Sequence, residues 1–105
     1  MYRFVKLVVF TPVTHADQVR KTLAEAGAGH IGKYDCCSFS TRGMGQFRPL
    51  KGSLPFKGEL EKIESVEEER IEAICSIDLY LKVLVAVKRI HPYEEPAIDI
   101  YPILN

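Results

Sequence analysis

The side chains best suited to chemistry sit in one hexapeptide, His91-Pro92-Tyr93-Glu94-Glu95-Pro96. An imidazole beside two carboxylates could hold a divalent metal ion, bind a cationic or polar group, or move a proton. His91, Glu94 and Glu95 are therefore the metal candidates. The structural alternative is a rigid corner in which the prolines fix the backbone and a buried His or Glu is hydrogen-bonded. Arg48, between Phe47 and Pro49, suits an anionic group or an ion pair. Tyr34 and Tyr93 suit the walls of a pocket, or caps on a core. Cys36 and Cys37 are adjacent, so neither the thioredoxin nor the zinc-ribbon spacing applies. On a strand they would point to opposite faces, one into the core and one outward or into an interface. Cys75 reads as a small core residue. No Ser/His/Asp set, H-E-x-x-H or Walker sequence is present, so no nucleophile is paired with a base and no catalytic residue is assigned. A binding protein is favoured over an enzyme. A small enzyme using His91 with Glu94 or Glu95 is the lesser alternative.

These residues must be positioned by the elements around them. Tyr2 to Phe10 reads as a strand. Leu7, Val8, Val9 and Phe10 are apolar on both parities, as in a central strand. Thr14 to Ala26 reads as a helix, capped by Thr14 with Asp17 in the capping-box position. Ala16, Val19, Leu23 and Ala26 form its apolar stripe, and Gly27 is its stop. Gly27-Ala28-Gly29-His30-Ile31-Gly32 spells G-x-G-x-x-G. It follows a helix and precedes a strand, the reverse of a dinucleotide site, so a helix C-cap is the better reading. Asp35–Thr41 and Gln46–Leu50 read as a hairpin turned by Gly43-Met44-Gly45. Ser65–Ser76 fits a helix or a strand equally. Ile77 to Ile90 reads as an apolar helix that Pro92 prevents from continuing. Ala97 to Leu104 reads as a last strand, with Ile98 and Ile100 on one face. With Ser65–Ser76 as a strand, the order is β-α-β-β-β-α-β, an α+β ferredoxin-like sandwich with an additional hairpin and both helices on one face. The other sheet face would be open and apolar, which predicts a homo-oligomer.

Composition bounds the function. The 105 residues predict one domain, 1–105, able to bury about two-thirds of its unfolded surface. Fourteen basic and 14 acidic side chains give zero net charge, which argues against nucleic acid as a partner. No apolar run has a membrane helix's length, and the first ten residues do not read as a signal peptide. Three cysteines suit a reducing cytoplasm better than a disulfide framework. The charge is nonetheless uneven. Lys33, Arg42, Arg48, Lys51 and Lys57 lie in the middle, and seven glutamates fall between Glu59 and Glu72. These are either two solvated surfaces or complementary patches that meet between subunits or flank a ligand.

An ordered set of motifs carries a family resemblance. It comprises Gly27-x-Gly29-x-x-Gly32-x-Tyr34, Cys37-Ser38-Phe39, Gly43-x-Gly45-x-Phe47-Arg48-Pro49, Glu69-Arg70-Ile71-Glu72 and His91-Pro92-Tyr93-Glu94-Glu95-Pro96-Ala97-x-Asp99. Together they resemble the PII-like insert domain of the Nif-three-like dinuclear-metal hexameric proteins, here free-standing. The domain is similar in architecture to PII signalling proteins and CutA proteins. The resemblance implies a trimer with its sheets packed inward, and a strand at Ser65–Ser76. It implies that Tyr34, Cys37, Arg48, His91, Glu94 and Glu95 line an inter-subunit groove, with Tyr93 beside them. The groove would take a small ligand or a divalent metal ion in a regulatory or sensing role. The alternative is a docking module for a larger metal-binding partner. No dinuclear-site ligand transfers, because the lobes that hold those metals are absent. Leu50–Leu60 is shorter than the signalling loop of PII proteins and carries no comparable tyrosine.

Overall fold

The computed structural model describes residues 1–104. Strand β1, Phe4–Pro12, lies inside the sheet between β3, Glu64–Ser76, and β4, Ile98–Ile103. Strand β2, Phe39–Phe47, is the other edge, and all three pairings are antiparallel. The order β2-β3-β1-β4 with helices α1, Ala16–Ala26, and α2, Tyr80–Ile90, makes a four-stranded α+β ferredoxin-like fold.

The pairing register explains which residues are buried. Val5, Leu7 and Val9 stand opposite Cys75, Ala73 and Ile71. These residues share one core with Val19 and Leu23 of α1, Val83 and Val87 of α2, and Ile98 and Ile100 of β4. Both helices therefore cover the same sheet face. Alternate positions fall on the other face: Phe4, Lys6, Val8 and Phe10 of β1 pair with Ser76, Ile74, Glu72 and Arg70. Among the described residues no helix covers that side, as expected, but it is not simply apolar. Arg70 meets Glu72 at 3.2 Å and stacks over the Phe10 ring at 5.9 Å. Val8 is nevertheless only 1% exposed, lying in register between Glu72 and Asp99.

Ser65–Ser76 is a strand, and its alternating burial is the reason. Ile71, Ala73 and Cys75 are buried while their neighbours are exposed or half-exposed. The expected hairpin at Gly43-Met44-Gly45 is absent: β2 runs straight through it. Neither glycine has positive φ. Gly45 lies where the Glu68 carboxylate fills the space a Cβ would need, so the missing side chain accommodates a neighbour rather than a turn. Thr14 does not cap α1. It lies in a 3-10 turn, Val13–His15, and its hydroxyl pairs with His15 Nδ1 at 2.9 Å. α2 starts at Tyr80 rather than Ile77, after a turn in which the Ser76 hydroxyl accepts the Asp78 amide at 3.2 Å.

Gly27 ends α1 as its type suggested, at φ 114, donating to Ala24 O, while Ala28 N–H reaches back to Leu23 O at 2.9 Å. An added Cβ there would meet only the flexible tip of Leu79, at 3.1 Å. Gly27→Ala should therefore cost about 1 kcal/mol, the left-handed penalty alone. Thermal unfolding should show a fall of roughly 4–8 °C.

The basic and acidic segments meet within one chain. β2 pairs with β3 so that Arg42 faces Glu69, approaching Glu67 at 3.4 Å and Glu69 at 3.9 Å. From α1, Arg20 donates to Glu69 at 2.6 Å, to Asp17 at 2.5 Å and to the Ser40 hydroxyl at 3.0 Å. Glu69 is the buried member, 7% exposed. Burying its carboxylate is tolerable because a guanidinium bonds it directly.

Candidate functional site

The hexapeptide forms the crossing from α2 to β4. α2 carries Lys88 and Arg89 in its last turn and stops at His91, whose φ of −69 and ψ of 134 are extended, as a residue before proline requires. This turns the imidazole back onto the sheet. His91 Nε2–H donates to Phe10 O at 2.8 Å, and Nδ1 accepts the Tyr93 amide at 3.1 Å. Both ring nitrogens are occupied, and the residue is buried. Burial pulls its pKa below the usual histidine value, outweighing the upward pulls of the Phe10 carbonyl and Glu68, with His15 adding a further downward pull. The neutral Nε2–H tautomer satisfies both bonds.

Tyr93 extends this network. Its hydroxyl donates to Glu68 Oε2 at 2.9 Å, and its ring packs against Phe47, Phe56 and His91 at centroid distances of 6.2, 6.1 and 5.0 Å. Burial and the Glu68 bond together push the Tyr93 hydroxyl well above the usual phenol range. Glu94 is exposed but engaged, accepting the Leu54 amide at 2.9 Å. The β2–β3 connection is thus latched onto the corner, with Phe56 edge-on to His15 at 5.5 Å. Glu95 is exposed and has no protein partner among the described residues.

The remaining candidates lie apart. Arg48 is exposed just after β2. Tyr34, 75% exposed, closes a small turn by exchanging two 2.9 Å backbone bonds with Ile31. Cys37 is half-buried and Cys36 exposed, in irregular backbone rather than on a strand. Their opposite-face assignment therefore falls, because Cys36 has φ 56. Among the described residues, no group of three or more His, Cys, Asp or Glu is placed to hold a metal ion. His91, Glu94 and Glu95 thus do not converge as a metal set within one chain. Sequence reasoning missed Glu68, which looks like one more solvated acid in the glutamate run. Only the β3 register and Tyr93 single it out.

A shallow cavity of about 250 Å³ opens on the uncovered sheet face, lined by Phe10, Thr41, Arg42, Gly43, Met44, Glu68 and Arg70. It joins the Tyr93 network through Glu68. No helix among the described residues is long and apolar enough to cross a membrane.

No family model matches the chain. A curated relative from Halalkalibacterium halodurans, called GTP cyclohydrolase 1 type 2 homolog, is 52% identical over 100 residues, covering 95% of this chain. A solved Bacillus cereus protein related to NIF3 superposes at TM-score 0.86 with 49% identity over 99% of the chain. The chain is a relative of the Nif3-related proteins. It spans about a quarter of their length, 27% of the Halalkalibacterium protein and 26% of the Bacillus cereus chain. The fold of this Nif3-related chain also matches CutA from Archaeoglobus fulgidus, at TM-score 0.71 and 21% identity, covering 97% of this chain and 85% of that one.

Proposed function

We propose that this chain is a homo-oligomerising module, a trimer of CutA type, that binds a small ligand at its subunit boundaries in a regulatory or sensing role. One observation carries the reading. Among the described residues the sheet has helices on one face only, while the other presents Phe10, Phe39 and Tyr101, the latter two 67% and 48% exposed, around an open cavity. An aromatic-studded sheet face left to water is the kind of surface that marks association. A neighbouring copy would convert the shallow cavity into a bounded one. Arg48, Tyr34, Cys37, Glu94 and Glu95 would supply the rim. His91 and Tyr93 would hold the corner, with Glu68 as the polar group offered to the ligand. A polar or anionic organic ligand facing Arg42 and Arg70 suits this set better than a divalent metal, because the acids are dispersed. The reading places the protein in a reducing cytoplasm, without nucleic-acid or membrane partners.

Mass measurement in solution, coupled to a thermal-shift panel of nucleotides, 2-oxo acids and divalent metals, tests this. The expected result is three chains per particle and a rise of several degrees with one organic anion class. A monomer would overturn the oligomer. A trimer indifferent to the whole panel would overturn ligand binding.

A second reading rests on the coverage. The chain corresponds to about a quarter of its relatives, so it could serve as a docking or oligomerisation module for a larger metal-binding partner. Co-purification with such a partner, with no ligand response, would select it.

A further inference from the structure

Gly43 lacks a side chain for no reason that its own chain supplies. Its φ is not positive, so the backbone does not require glycine there. Nothing lies within 4 Å of where its Cβ would stand, whereas at Gly45 the Glu68 carboxylate occupies that place. Glycine weakens a strand interior, and in strands it often marks a site where a ligand comes close to the backbone. Gly43 pairs with Glu68 and lines the cavity of about 250 Å³ on the uncovered sheet face. The open space at Gly43 is therefore part of that cavity.

The chemistry around that space is two-sided. Arg42, beside Gly43 on β2, and Arg70 on β3 line the same cavity. Arg42 reaches Glu67 and Glu69 at only 3.4 and 3.9 Å, and Arg70 reaches Glu72 at 3.2 Å. A guanidinium carries five N–H donors, so each keeps some to spare. On the same face, Glu68 stands two residues from Arg70, roughly 7 Å along the strand. Its Oε2 takes the Tyr93 hydroxyl at 2.9 Å, and a carboxylate has lone pairs left for a further donor. Phe10 and Met44 supply apolar walls, with Arg70 stacked over the Phe10 ring at 5.9 Å. A ligand that fits is flat where it lies on the bare backbone of Gly43. It is anionic toward the two arginines and an N–H donor toward Glu68.

We infer that this cavity takes an aromatic ring carrying an anionic group at one end and an amine at the other, with Gly43 as the floor that selects flat rings over puckered ones. The inference rests on reading the cavity as the ligand site, and adds the class of ligand and the residue that discriminates. Aromatic acids and nucleotides both offer this chemistry. Aliphatic acids and bare metal ions do not.

The probes are 4-aminobenzoate for the aromatic acids and cytidine monophosphate for the nucleotides. As a control, trans-4-aminocyclohexanecarboxylate carries the acid's two polar groups on a puckered ring. Thermal shift, isothermal titration and particle mass are measured on the parent, Gly43→Val and Arg42→Gln. The expected result is a rise of several degrees in the parent with at least one flat probe and none with the puckered control. Gly43→Val should keep the parent's particle mass and melt no lower, because valine suits a strand better than glycine. It should bind the same probe at least about tenfold more weakly, since the filled floor clashes with the ring. Arg42→Gln leaves the floor open and should also weaken binding about tenfold, by loss of a charged donor. Either variant binding as the parent does would overturn the inference, as would a parent that responds equally to the puckered control. A Gly43→Val chain of lower particle mass would overturn it too, assigning the space to a second copy. A parent stabilised only by 2-oxo acids would overturn the ring class and leave the cavity standing as a ligand site. Indifference to every compound, 2-oxo acids included, would overturn both readings.

Discussion

His91→Ala should lower the stability of this protein by about 2–4 kcal/mol, a fall on the order of 10–25 °C in melting temperature. The substitution removes one ring that serves two backbone groups, the Phe10 carbonyl and the Tyr93 amide. Each is left short of a partner in a part-buried corner, and a buried polar group without a partner costs roughly 1–3 kcal/mol. The imidazole's packing against Tyr93 is lost as well. Unfolding by urea, followed by circular dichroism, measures the effect. If the variant keeps its stability and loses only a ligand-induced rise in melting temperature, His91 is a ligand-contacting residue and the structural role fails.

The same geometry sets a pH dependence. Burial lowers the His91 pKa in the folded state, so the unfolded chain takes up the proton first as pH falls. The stability that His91 contributes is full above its unfolded value of about 6.5 and declines as pH drops through the lower native value. Protonation also removes the Nδ1 lone pair that accepts from Tyr93. The facing titratable groups are Glu68, His15 and Tyr93. Melting temperature should therefore fall between pH 7 and pH 5 in the parent. His91→Gln, which cannot titrate, should flatten that fall.

Local pattern reached much of the fold. Val19 and Leu23 in a helix, Gly27 at its end and Ile98 with Ile100 facing the core were legible because each depends on neighbours a few residues away. The failures share a cause. Gly43 and Gly45 resemble a turn until Glu68, on the next strand, is seen to occupy the space at Gly45. Glu69 resembles its solvated neighbours until strand parity turns it inward toward Arg20. His91 was conspicuous by type and spacing, but its partner is the Phe10 carbonyl, 81 residues away. Within one chain the motif forms a structural corner, and His91, Glu94 and Glu95 do not converge there as a metal set. The Glu94 side chain instead holds the β2–β3 connection.

Gly29→Ala should be far more damaging than Gly27→Ala, although both glycines have positive φ, 82 and 114. The left-handed penalty of about 1 kcal/mol is common to both. The difference is what the new methyl group would strike. At Gly27 it meets a leucine tip that can rotate; at Gly29 it lies 2.6 Å from the Cys37 carbonyl oxygen and 2.8 Å from its amide nitrogen. Backbone cannot step aside there without breaking the bonds that define the loop. Gly29 N–H donates to Ile74 O at 2.7 Å, tying the loop to β3, and Gly29 O accepts the Cys37 amide at 3.0 Å. Losing both adds roughly 2 kcal/mol, so the total should reach about 3 kcal/mol, at least twice the Gly27→Ala effect. Parallel urea titrations of the two variants measure the ratio. Equal losses would show that the loop yields freely and that Gly29 does not clamp Cys37. The expected disparity would instead show that the close approach of two backbones, rather than left-handed φ alone, is what Gly29 is for. It would also tie the placement of the Cys36 and Cys37 thiols to that one contact.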